Sequence, residues 1–421
     1  MSDLITALSV LALQALSLFN KKARLLLQGQ KKTFRMLREQ RNPEDVYIWF
    51  HAASLGDFEQ GRPLIEKIKK EQPGYKILLT FFSPTTYEAH QNYAAADLIG
   101  YLPFDQNRNV LKFLDLVQPT IAVFINKPLG VNFSEELHYR KIPAFIVSAI
   151  FNAKQAYFNW YGFEWRYVLD NYTHIFVQDE PSRLLLEQNG FHALSVSGDT
   201  RFDRVYEIYE QRKHLPLIDQ FLHSGENEKA MAIVAGNTWP KDEDLLFTYF
   251  NQTPNIKLII VPHEMTAERF AEIRVQSERP TLLYSQTLKS NIQSADCLII
   301  DCFGLLSSLY RYGDLAFVGG GFNAGVHNIL EASVFGIPVL FGPNYRQSKE
   351  AIDMMTTGGG ISVTDIDEMK RAMNALLSYP KYKSDISEKA KRFVVEHLGA
   401  TERVYSHLQA LNVFSPTPKG E

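Results

Sequence analysis

Leu315-Ala316-Phe317-Val318-Gly319-Gly320-Gly321-Phe322-Asn323-Ala324-Gly325-Val326-His327-Asn328-Ile329-Leu330-Glu331-Ala332 is where this chain says most about itself. Its first four residues form an unbroken apolar run and read as a buried strand. The glycines that follow let the backbone turn sharply and approach a ligand closely, because no Cβ intervenes. From Asn328 the spacing predicts a helix whose first amides face back toward the turn. A helix N-terminus presents unpaired N–H groups and partial positive charge to a phosphate. Glu331, one turn into that helix, is placed to accept hydrogen bonds from ribose hydroxyls. Strand, glycine turn, helix and acid in that order point to a nucleotide-sugar site. The alternative is a plain glycine-rich turn between a strand and a helix.

The same alternation extends outward. Apolar runs at 230–235, 257–261, 297–300 and 339–341 read as strands flanking this one. An earlier series at 46–50, 76–82, 121–125, 144–147 and 175–177 is interleaved with helical spacing over 58–70 and 87–93. Strands separated by helices imply parallel sheets with right-handed crossovers. The expected fold is α/β, with two doubly wound Rossmann-like domains. The polar stretch 207–228, containing Arg212, Lys213 and Pro216, reads as the link between them. The chain then divides into residues 1–30 as an N-terminal membrane-associated helix, 31–212 as one domain and 213–421 as the other. Ligands of such sheets bind beyond the carboxyl ends of the strands, which puts the expected site in a cleft.

Composition narrows the function. A chain of 421 residues exceeds one ordinary core, and 45% hydrophobic with 22% charged residues suits a soluble globular protein. A formal net charge of −3 argues against nucleic acid as a principal partner. Cys297 and Cys302 lie five apart with no second pair, which fits neither a zinc site nor a disulfide framework. The N-terminus departs from the average: Leu4 to Phe19 is almost wholly apolar and is followed by Lys21, Lys22, Arg24, Lys31, Lys32 and Arg35. The run is short of the ~20 residues that span a bilayer. A helix lying on the membrane surface and an ordinary buried first helix both fit it. A dinucleotide oxidoreductase needs Gly-x-Gly-x-x-Gly after the first strand, where this chain has His51-Ala52-Ala53-Ser54-Leu55-Gly56. The Gly-x-Ser-x-Gly elbow of serine hydrolases is absent too.

Several segments together resemble one family. They are Phe19-Asn20 through Gln28-Gly29-Gln30, His51 to Gly56, Gly61-Arg62-Pro63 and Gly198-Asp199-Thr200-Arg201-Phe202-Asp203-Arg204. Thr238-Trp239-Pro240, Pro262-His263-Glu264, Leu305 to Gly313, His327 to Ala332 and Phe341-Gly342-Pro343-Asn344-Tyr345 complete them. The pattern is similar to that of the 3-deoxy-D-manno-octulosonic acid (Kdo) transferases, the lipid IVA Kdo transferase family, in the form seen in Bacteroidota. The resemblance implies a GT-B glycosyltransferase that moves Kdo from CMP-Kdo to a lipid A precursor. It implies inversion at the anomeric carbon, no metal and no cofactor, at the cytoplasmic face of the inner membrane. Residues 31–212 then form the acceptor domain and 213–421 the CMP-sugar domain, with the last helix, after Asp385, crossing back to the first.

Candidate residues follow from that resemblance. The family carries a carboxylate after its Ser-x-Gly turn, here Asp57 behind Ser54 and Gly56, where relatives usually have glutamate. Asp57 is the expected base for the acceptor hydroxyl, the alternative being an N-cap on the helix near Phe58. Relatives resemble Lys-Tyr-Glu-Phe-Trp-Tyr where this chain reads Asn126-Lys127-Pro128-Leu129-Gly130-Val131, so Pro128 occupies the place of a transition-state acid. Asn152 stands on the acceptor side where the family usually has arginine. Arg201 is expected to balance the Kdo carboxylate or the leaving phosphate, or else to pair with Asp199 or Asp203. Pro262, His263, Phe303, Gly304, Leu305, Gly320, Gly321, Asn328, Ile329, Leu330 and Glu331 are expected around the donor. The departures at Asp57, Pro128 and Asn152 leave open a relative with impaired transfer or a changed acceptor.

Overall fold

Seven parallel strands build each of two sheets among the described residues. The first holds β1 (Val46–Ala52), β2 (Tyr75–Phe81), β3 (Leu98–Tyr101), β4 (Pro119–Ile125), β5 (Ala144–Ala149), β6 (His174–Val177) and β7 (Leu194–Val196). Their order is β3-β2-β1-β4-β5-β6-β7. The second holds β8 (Met231–Thr238), β9 (Ile256–Pro262), β10 (Thr281–Leu283), β11 (Cys297–Ile299), β12 (Leu315–Val318), β13 (Val339–Phe341) and β14 (Gly360–Ser362), ordered β10-β11-β9-β8-β12-β13-β14. The computed structural model describes residue 16 and residues 19–159, 162–211, 213–223, 230–289 and 292–414.

Helices cover both faces of each sheet, so the strands are apolar almost throughout. Along β1 the side chains alternate in destination. Tyr47 and Trp49 join a core with Phe113, Phe124 and Phe133, whereas Ile48, Phe50 and Ala52 join another with Phe58, Phe81 and Val123. That period of two is the pleat of a strand. The second sheet is packed on one face by Leu246, Phe247, Phe250, Met369 and Met373.

The chain divides into residues 1–204 with 398–421, and residues 205–397. The return is made by the helix Ala400–Ala410, whose Val404, Tyr405 and Leu408 complete the first unit's core. Asp203 receives the amides of Gly399 at 2.6 Å and Thr401 at 2.7 Å, fixing the point of re-entry. Helix Pro380–Glu396 belongs to the second unit, and the last described helix, Ala400–Ala410, lies in the first.

Other expectations need correcting. The stretch 207–228 is not a bare linker: helix Thr200–Gln211 runs into it and helix Pro216–Leu222 follows, with Ile218, Phe221 and Leu222 buried. A proline at the first turn explains why the second of these starts where it does. The helix expected from Asn328 is confined to Leu330–Ser333. The helix expected from 58 begins earlier, at Leu55, and runs to Glu71.

The expected helix over 1–30 lies largely outside the described residues up to position 18. From Lys21 a helix continues unbroken to Gln40, capped by the Asn20 side chain. Its Ala23, Leu26, Thr33 and Leu37 are buried, while Lys21, Lys22, Arg24, Lys31, Lys32 and Arg35 are exposed. No described helix is long and apolar enough to cross a membrane.

Candidate functional site

In the first sheet the strand order reverses between β1 and β4, and ligands of doubly wound sheets gather beyond the carboxyl ends at such a reversal. The chain leaving β1 enters helix Leu55–Glu71 through Ser54, whose side chain caps the Asp57 amide at 3.3 Å. Asp57 Oδ2 accepts in return from the Ser54 amide at 3.0 Å and from its Oγ at 2.7 Å. Asp57 is therefore the third residue of a reciprocal capping box, and Ser54 is the N-cap. Phe58 locks the turn by packing on Phe81 and Tyr93. From the end of β4, across the reversal, Asn126 Nδ2 donates to Asp57 Oδ1 at 3.0 Å. Asp57 is 8% exposed and holds three donors. Behind it, burial pushes His51 down to about 4, with the Asp57 charge opposing. The ring is a neutral wall.

Beyond Asn126 no acid takes the place of Pro128. Lys127 is exposed, Pro128 is half-buried and Leu129 is buried, its amide donating to Tyr172 Oη at 2.8 Å. The nearby carboxylate of Asp105 is spent on the Phe133 amide at 3.0 Å and the Asn132 amide at 3.3 Å, at the start of helix Val131–Tyr139. A Cβ on Gly130 would strike it, so glycine there accommodates the Asp105 cap.

Arg201 is held by Asp199, with Nε at 2.8 Å and Nη2 at 2.6 Å from Oδ2. Asp199 in turn accepts from Gln60 Nε2 at 3.3 Å, on the helix that carries Asp57. The ion pair considered from sequence is the one observed. Asn152 is exposed and caps a turn, accepting from the Lys154 amide at 3.1 Å.

The second sheet reverses between β8 and β12, and the glycine turn follows β12 at that place. Its amides are mostly committed. Gly319 donates to Gly236 O, Gly320 to Asp242 Oδ2, Gly325 to Gly320 O and His327 to Gly319 O. The cluster closes a loop instead of framing an open anion cradle. Gly320 has φ +90°, and Gly321 lies so close to Gly342 that a Cβ would sit 2.5 Å from its nitrogen. Burial raises Asp242, with backbone amides opposing.

Against this loop stands a stack of three rings that sequence reasoning only partly named. His263 lies 4.5 Å from Trp239 and 4.8 Å from His327, nearly parallel to both. Trp239 Nε1 donates to His327 Nε2 at 3.1 Å. An indole N–H only donates, so His327 carries its own proton on Nδ1. Burial, then His263, pushes His327 down to about 4, and burial lowers His263. Trp239 precedes Pro240 at the start of a helix, a position that gives no sign of a ring-stacking role.

Glu331 is held beside this stack's loop by Ser307 Oγ at 2.6 Å and Asn328 Nδ2 at 3.1 Å. Asn328 Oδ1 takes the Leu330 amide at 3.1 Å, so the first amide of that short helix is already bonded. Ile329 and Leu330 are wholly buried. Pro262 ends β9, and the His263 amide bonds Thr238 O at 2.9 Å. Phe303 is 82% exposed, Gly304 turns the chain with φ +82°, and Leu305 leads into the helix that bears Ser307.

A family model described as 3-Deoxy-D-manno-octulosonic-acid transferase (kdotransferase) matches residues 24–204. The 3-deoxy-D-manno-octulosonic acid transferase of Bordetella pertussis is 27% identical over 384 residues, 86% of each chain. That of Haemophilus influenzae is 25% identical over 381 residues, 87% of each chain. Among solved structures, the UDP-GlcNAc 2-epimerase of Neisseria meningitidis bound to UDP-GlcNAc aligns with a TM-score of 0.60 at 15% identity, covering 87% of this chain and 100% of that one. The fold is that of the GT-B glycosyltransferases.

Proposed function

We propose that this chain, whose residues 24–204 match the 3-deoxy-D-manno-octulosonic acid transferase model, transfers Kdo from CMP-Kdo to a hydroxyl of a lipid A precursor. The observation that carries the reading is Asp57, a mostly buried carboxylate at the reversal of the first sheet, inside the family match. A carboxylate has about four lone-pair directions, and three donors leave one for a substrate hydroxyl. The acceptor oxygen attacks the anomeric carbon and its proton passes to Asp57. The anomeric C–O bond breaks with its electron pair, and CMP leaves. One displacement of this kind inverts the anomeric configuration.

Donor recognition falls to the second unit. Glu331, oriented by Ser307 and Asn328, accepts from ribose hydroxyls, and the His263–His327 pair faces the phosphate. The proposal assigns no metal to the leaving group. It places the protein at the cytoplasmic face of the inner membrane. The exposed Phe19 and the exposed basic residues of helix Lys21–Gln40 support that placement, since such a face suits anionic headgroups.

Purified full-length protein is incubated with CMP-Kdo and a tetra-acylated lipid A precursor, and the lipid is weighed by mass spectrometry. The expected product carries one or more Kdo units. CMP release with no Kdo on the lipid would reject the acceptor, and no CMP release would reject the transfer.

A further inference from the structure

We propose that Asn126 is a positioning residue for the base, a role that rests on Asp57 acting as proposed above. Its backbone extends the sheet: the amide donates to Val147 O at 2.8 Å, so the residue is anchored to β5. At that point φ is +69°, a left-handed conformation that asparagine tolerates better than most residues. The turn sends the side chain back across the end of β1, where Nδ2 meets Asp57 Oδ1 at 3.0 Å.

Ser54 grips the other oxygen twice, at 3.0 and 2.7 Å, but both of those donors belong to one residue and act on one atom. The carboxylate turns about its Cβ–Cγ bond, and Ser54 restrains that turn at one oxygen only. A donor arriving on Oδ1 from a different strand removes the rotation and fixes the plane in which the remaining lone pair points. The loop beyond Asn126 supplies no acid at Pro128, so orientation of Asp57 is the contribution this loop retains. Asn126 touches neither donor nor acceptor in this role; it acts through Asp57.

The test compares the full-length protein with Asn126→Gly and Asn126→Asp at saturating CMP-Kdo. Glycine accepts φ +69° without strain, so that variant keeps the fold while removing the amide. Aspartate keeps the shape but offers Asp57 no N–H. Misplacing a reacting group by ~1 Å costs on the order of a hundredfold, so kcat should fall about ten- to a hundredfold in both variants. KM for donor and acceptor should stay within about twofold, because Asn126 binds neither substrate, whereas substrate-binding residues move KM. An active parent with an unchanged kcat in the glycine variant overturns the proposal. So does a raised KM at unchanged kcat, which would make Asn126 a substrate contact. An inactive parent instead rejects the transfer reading itself, and this role with it.

Discussion

Asp57→Asn separates the two jobs of one side chain. The substitution keeps the shape and removes the charge, and the structure sets a different cost for each job. For stability, an asparagine Oδ1 still receives the Ser54 amide and hydroxyl, preserving the capping box. Its new amide, however, faces the amide of Asn126, now a donor at 3.0 Å. One hydrogen bond to a charged acceptor is lost, worth about 1.5–3 kcal/mol when buried. Asn126 is half-buried and able to turn to water, which favours the lower end, about 1.5 kcal/mol. That is a fall of roughly 3–6 °C in Tm for a unit of this size. For catalysis, a positioned base contributes about a hundred- to ten-thousandfold, or roughly 3–5 kcal/mol of barrier. The assay is the initial rate of Kdo transfer at 25 °C, far below the melt, beside a thermal scan of the same preparation. A rate at least a hundredfold lower with a melt only a few degrees lower is expected. Transfer within tenfold of the parent, with the stability loss intact, would make Asp57 a helix cap and nothing more.

Pro128→Glu returns an acid to the loop and should raise kcat about tenfold, since electrostatic stabilisation often supplies the largest share of a rate enhancement; steady-state rates decide it, and no gain would show that the Leu129–Tyr172 bond holds the loop out of reach. Trp239→Phe preserves the ring stack but deletes the indole N–H on His327, and should weaken CMP binding about fivefold in calorimetry, the equivalent of one net hydrogen bond, with kcat unchanged. Gly321→Ala forces a Cβ onto the backbone of Gly342 and should cost about 1–3 kcal/mol in urea unfolding, a loss that an unstrained turn would not show. Acid should destabilise the fold through His51 and His327, each pushed from an ordinary 6.5 to about 4 mainly by burial. The unfolded chain takes up those protons first, so stability is full above pH 6.5 and falls as pH drops toward 4. At pH 5 the buried His51 accounts for about 2 kcal/mol and the half-buried His327 for less; urea midpoints at pH 7.5 and 5 in the parent and in His51→Asn measure the difference.

Much of the scaffold was legible because a parallel sheet covered on both faces writes itself as apolar runs between helices. Both reversals of strand order coincide with segments singled out from sequence, the Ser54–Asp57 turn and the Gly319–Gly321 turn. What escaped was short or depended on distant partners. Strands β3, β7, β10 and β14 are the edges of the two sheets, where fewer side chains are buried and the apolar run that marks the inner strands is weaker. The helix at 330–333 was overestimated because Asn328 is used as a capping turn, its Oδ1 taking the Leu330 amide, so the helix starts only after the buried Ile329. Asn126 and Trp239 gave no local sign of their roles. Their partners lie 69 and 88 residues away, and only the closing of a sheet brings such positions together.

Asp203 and the helix Ala400–Ala410 bear on how the protein is made. That helix places Val404 and Leu408 in a core otherwise built before residue 205, so the first unit encloses the second in chain order. On a ribosome the strands of the first sheet emerge early but lack one wall. At about 5–20 residues per second the missing wall arrives roughly ten to forty seconds later, after all of 205–397 has been made. The second unit, continuous in sequence, has every residue it needs before then. During that interval the face around Ile48, Phe50 and Val123 is exposed to chaperones and proteases, and a premature stop near residue 398 would spoil the domain synthesised first. What the chain starts first, it finishes last.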